Sequence, residues 1–92
     1  MDIKEIFESV NDQYLEFESV ENKRSTRPDI HAFLLLSELD PDGKGDMIQS
    51  AWHDAVSLSF DEDLIENLTQ EQVIELTRCG VRYEDGYLCM FV

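Results

Sequence analysis

The sequence predicts an α+β fold in a single domain, residues 1–92: about three helices packed on a small antiparallel sheet that closes in a C-terminal β-hairpin. Three observations predict it. Apolar residues recur at intervals of three and four in the N-terminal segment and again between Thr69 and Gly80. The interval changes to two at Val56, Leu58 and Phe60. Near the end, Asp85-Gly86 separates two strand-like runs, a pairing that favours a tight hairpin turn. A chain of 92 residues supports one hydrophobic core, with marginal burial.

The first helix rests on Ile3, Ile6, Phe7, Val10, Tyr14 and Phe17, which share one helical face, with Asp2, Glu5, Glu8, Asp12 and Glu16 on the other. It is expected over residues 2–12, with continuation to about 18; Asn11-Asp12 offers a break and Phe17–Val20 an extended alternative. Early acids suit the positive end of a helix dipole. Residues 21–28 form a loop that holds three of the seven bases. Pro28 then fits a first helical turn, where its missing N–H is not needed. The helix that follows, through Ile30, Phe33, Leu34, Leu36 and Leu39, is apolar around most of its circumference and is expected to be the most buried element. The run Asp40-Pro41-Asp42-Gly43-Lys44-Gly45 ends it.

Sheet strands are expected at 55–60, 81–84 and 87–92. Asp61-Glu62-Asp63 opens a short helical turn with Leu64, Ile65 and Leu68. Thr69 and Gln72 have the spacing of a capping box, in which each side chain satisfies the other residue's backbone N–H. Gly80 stops that helix, because a left-handed residue is least costly without a Cβ. Tyr87–Val92 is uncharged and apolar at nearly every position, so both its faces call for cover. Two arrangements stay open: a central strand, or an edge that pairs with a second chain.

Charge narrows the function classes. Twenty-one acids against seven bases give a net charge of −14, and each half of the chain carries −7. Such a particle repels nucleic acid and membrane surfaces and attracts basic ones. The magnitude exceeds the roughly 2–8 that suffices to keep a small domain dispersed. No apolar run approaches the roughly 20 residues of a membrane span, and there is no secretory leader pattern, so a cytoplasmic chain is expected. Cys79 and Cys89 are too few for a disulfide framework and read as reduced.

Metal and catalytic motifs are weak. Asp40-x-Asp42-Gly43-Lys44-Gly45 matches a calcium loop at positions one, three and six. Lys44 then stands where an oxygen ligand belongs, Met47 falls at position eight, and Ala51 occupies the place of the closing Glu, so a plain turn is expected. His31, His53, Cys79 and Cys89 lack the close pair spacing of a zinc site. His53-Asp54 with Ser50 or Cys79 makes a triad only on paper, since adjacent His and Asp arise readily among 21 acids. No cofactor, metal or catalytic residue is assigned, and the chain is not expected to be an enzyme.

The remaining constellation is acidic. Carboxylates one helical turn apart stand roughly 5–6 Å from each other, approaching the spacing of charges on a nucleic-acid strand. Asp2, Glu5, Glu8, Asp12 and Glu16 are the first candidate row for binding a partner, with Lys4 the only base in the first 22 residues; Asp61, Glu62, Asp63 and Glu66 are the second. Two stretches, Ser25–Leu36 and Arg78–Tyr83 leading to Met90-Phe91-Val92, resemble segments of small acidic proteins encoded by phages and mobile elements. The resemblance covers about a third of the chain and implies an accessory protein that inhibits a host factor. The expected function is therefore a non-catalytic inhibitor that engages a basic, nucleic-acid-binding protein by mimicking a polyanion. The alternative is a homo-oligomeric structural or regulatory module, with a homodimer as its simplest form.

Overall fold

A computed structural model describes residues 2–84 and 86–91. Its helices are α1 (Ile3–Ser9), α2 (Pro28–Leu39), α3 (Glu62–Glu66) and α4 (Gln70–Arg78), and its strands are β1 (Ile48–Ala51), β2 (Ala55–Leu58), β3 (Val81–Glu84) and β4 (Tyr87–Phe91). The strands form one antiparallel sheet in the order β1-β2-β4-β3, so the fold is α+β. Glu84 opposes Tyr87 in the C-terminal hairpin, and Gly86 takes the positive φ that its turn requires. Asp85 of that turn and Val92 of the expected last strand lie outside the described residues.

α1 begins where the Asp2 carboxylate accepts the Glu5 N–H at 2.9 Å, and it buries Ile3 and Phe7. It stops at Ser9, short of the expected 2–12 and well short of 18. The chain continues through two 3-10 turns, Asn11–Gln13 and Phe17–Ser19, separated by Leu15 at φ +63°, a value no helix contains. Long-range bonds account for the early stop. The Leu15 N–H donates to the Thr77 carbonyl at 3.2 Å, and Arg78 donates to the Gln13 side chain at 2.9 Å and to the Ser19 carbonyl at 3.2 Å. Asn11, Asp12 and Ser19 gain little from helix, so the bonds to α4 prevail.

α2 starts with Pro28 in its first turn, as the sequence predicts. Its buried side is His31, Ala32, Leu35 and Leu36, while Ile30 and Leu34 are 41% and 43% exposed. The helix is apolar over most of its circumference but covered on one side, so, contrary to expectation, it is not the most buried element; β2 and β4 are buried over a larger share of their length. α3 is capped by Asp61, whose carboxylate accepts the Asp63 N–H at 2.8 Å. The capping box of α4 is present in both directions, and Gly80, at φ +93°, ends the helix.

The core sits on one face of the sheet. Val56, Leu58, Val81, Leu88 and Met90 point the same way and pack with Phe7, Leu36, Ile65, Val73 and Leu76 of the helices. Fully burying a side chain of this size contributes roughly 1.5–3 kcal/mol, which makes this layer the main source of stability. The opposite face carries Ser57, Cys89 and Arg82 in register, with Tyr87 and Phe91 beside them, and these stand outside the helical core. β4 is thus a central strand, its backbone paired on both sides, and it offers no free edge to a second chain. β1 was not expected: Ile48-Gln49-Ser50-Ala51 is exposed at every position and shows no alternation to reveal it. No described helix is long and apolar enough to cross a membrane.

Candidate protein-binding surface

The acidic candidates are displayed rather than buried. Asp2, Glu5, Glu8, Asp12, Glu16, Asp61, Glu62, Asp63 and Glu66 are all exposed. Because α1 ends at Ser9, the first five do not form one continuous row: Glu5 and Glu8 share the helix, Asp2 is tied up as its cap, Asp12 lies in a 3-10 turn and Glu16 precedes the next one. Asp61 likewise caps α3, leaving Glu62 and Glu66 one turn apart on that helix. The structure also sets the two groups beside different grooves. Glu8 borders one of about 510 Å³ with Phe7, Tyr83 and Phe91, whereas Asp61 and Glu62 border two grooves next to β1.

None of the nine is ion-paired among the described residues. The ion pairs there are Arg24–Glu38 at 2.6 Å, Arg24–Glu75 at 3.5 Å, His31–Glu75 at 2.7 Å and Arg82–Glu84 at 3.1 Å. Lys23 instead donates to the carbonyls of Glu18 and Val20 and lies over the Phe17 ring. Lys23, Arg24 and Arg82 are therefore engaged with other groups, and none of the nine carboxylates is neutralised by a direct ion pair among the described residues.

His31 is structural. It is wholly buried, its Nδ1 accepts the Arg24 N–H at 3.1 Å, and its Nε2 meets Glu75 at 2.7 Å. An accepting Nδ1 places the ring proton on Nε2, which donates to the carboxylate. The loop before α2, α2 itself and α4 are joined at this one ring, with Phe17 packed edge-on against it. Burial, with Glu75 nearby, pushes the Cys79 thiol up to about 12; burial also raises Cys89, with Glu84 adding to it and Arg82 opposing it. Thiols held protonated in this way are poor nucleophiles and poor metal ligands. Ser50 is bonded to Ser57 at 2.7 Å, and the exposed His53 makes no side-chain hydrogen bond among the described residues. No three His, Cys, Asp or Glu side chains converge as a metal site among those residues.

Sequence reasoning missed the surroundings of β1. Asp40 and Asp46 join Asp61 around a groove of about 430 Å³ that Met47 and Gln49 also line. On the open face of the sheet, Trp52 stacks on Tyr87 with ring centroids 6.5 Å apart and is still 53% exposed; Phe91, under the Arg82 guanidinium, is 51% exposed. The uncharged run from Met47 to Trp52 was the available signal, but it gains meaning only once β1 is known to be an edge. Comparison with known proteins finds no family model, no curated protein and no solved structure that matches this chain.

Proposed function

We propose that the chain is a non-catalytic acidic binding protein of the cytoplasm, an accessory protein of a phage or mobile element. It inhibits a basic, nucleic-acid-binding host protein by presenting carboxylates where that protein normally holds phosphates. One observation carries the reading: nine exposed carboxylates on α1, α3 and their flanks have no ion pair among the described residues, in a chain of net charge −14. Solvation alone does not require so large an imbalance, and like charges held this close destabilise the folded state. A basic groove that neutralises them relieves that repulsion.

The test is a pull-down from bacterial lysate at low and high salt, followed by displacement with duplex DNA or RNA. Nucleic-acid-binding proteins should be retained at low salt, lost at high salt and released by the competing nucleic acid. Capture that ignores both salt and nucleic acid contradicts the reading.

A second reading is self-association as a structural or regulatory module, favoured by the exposed Ile48, Trp52 and Phe91 on β1 and the open face. Its salt dependence has the opposite sign, since screening two chains of −14 strengthens their association.

A further inference from the structure

The sheet has two edges, and they differ. β3 is charged at Arg82 and Glu84, and α1 and α4 pack against it. β1 has neither protection: its four residues are uncharged, contain no proline and are exposed throughout. Its guards are its four-residue length and a bulge between Ile48 and Ser50, but Ser50 and Ala51 are in regular register with β2 beyond the bulge and run into the uncharged Trp52. Edges without charge or cover are uncommon because a row of free N–H and C=O groups recruits other strands.

The surroundings of β1 specify what it recruits. Beside it runs the groove bordered by Asp40, Asp46 and Asp61, where three carboxylates outnumber the one base, Lys44, and Asp54 follows in the turn to β2. On the open face, Trp52 lies on Tyr87 next to Ser50, in a groove of about 630 Å³ that Glu62 borders. A strand added to β1 sends successive side chains to opposite sides of the sheet. Basic side chains on one side meet the carboxylate groove, and apolar ones on the other meet the Trp52 ring. A second copy fits less well, because it sets −14 against −14.

We infer that β1 is a docking edge that accepts an extended basic segment of the partner as a fifth strand, with alternate Lys or Arg side chains in the Asp40–Asp46–Asp61 groove. This rests on the reading of the chain as a binder of basic proteins and names the place of attachment, by backbone pairing for affinity and side-chain pockets for selection.

The test uses the full chain and a labelled short peptide of alternating Lys and Val. Comparators are the same peptide N-methylated at alternate backbone amides, and spermine. The peptide should bind, protect amides of Ile48–Ala51 from hydrogen exchange, and lose at least about tenfold in affinity on N-methylation. On the protein side, the Trp52 N–H turns in to the Ala55 carbonyl at 2.7 Å, so the neighbouring Ala51 N–H turns outward. Ala51→Pro removes that donor and should reproduce the loss; should it fail to fold, the N-methylated peptide and amide protection still read the edge. Equal binding of both peptides, with no protection at β1, overturns the docking edge and leaves the acidic-binder reading standing. No binding of peptide or spermine even at low salt overturns both. A dimer of the free chain that Ala51→Pro abolishes gives the edge to a second copy and overturns the inference.

Discussion

Single residues here mostly act as joints. His31 uses both ring nitrogens, one toward the Arg24 backbone and one toward Glu75, so a group whose spacing in the sequence argued only against zinc is a polar link between α2, α4 and the preceding loop. Its helix position was legible; its partner, 44 residues away, was not, because nothing local encodes such a pairing. Cys79 sits in the same region, and its raised pKa has a consequence for stability. Below the ordinary value of 9.0 both folded and unfolded chains hold the thiol proton; as pH climbs from there toward about 12, the unfolded chain ionises first and stability falls. Urea midpoints measured against pH should therefore converge for wild type and Cys79→Ala above pH 9.0, since only wild type loses this contribution. A constant gap between them across that range would contradict the assignment.

At the scale of elements, local signals and long-range ones separate cleanly. The capping box of Thr69 and Gln72, Pro28 opening α2 and Asp61 opening α3 were all readable, because each is a rule about neighbours within one turn. The end of α1 was not, since bonds from Leu15, Gln13 and Ser19 to residues of α4 decide it. β1 escaped for a related reason: a strand with no buried side chain leaves no periodicity, and only its pairing with β2 defines it. Among the acidic candidates, the sequence found the exposed residues but drew the first five into one row that the true length of α1 breaks. Gly80 tests the boundary between the two kinds of signal. It ends α4 at φ +93°, and a Cβ there would stand 3.0 Å from the Leu15 side chain, so Gly80→Ala meets both backbone strain and crowding. It should cost at least about 1–2 kcal/mol in urea denaturation. A change of a few tenths would show that the α4–Leu15 junction yields freely.

The whole molecule is nearly isotropic, 31 × 30 × 29 Å with a radius of gyration of 12.1 Å. The Debye length at physiological salt is about 8 Å, so neighbouring parts of this surface feel one another's charge. The helices hold one face of the sheet, while the run Met47–Trp52 at the β1 edge is uncharged and lies among carboxylates, with Trp52 stacked on Tyr87 on the open face. A partner that touches both kinds of surface gains long-range attraction from the acids and short-range selectivity from the edge. The central claim is that the unpaired carboxylates draw the partner in. Glu5, Glu8, Glu62 and Glu66 are exposed, cap no helix by their side chains and make no ion pair among the described residues, so Gln at all four should preserve the fold. The most direct measurement is the salt dependence of affinity, for this variant and for wild type, toward a nucleic-acid-binding protein retained in the pull-down. The account predicts weaker binding and a shallower salt slope for the folded variant; equal affinity with an equal slope would contradict it.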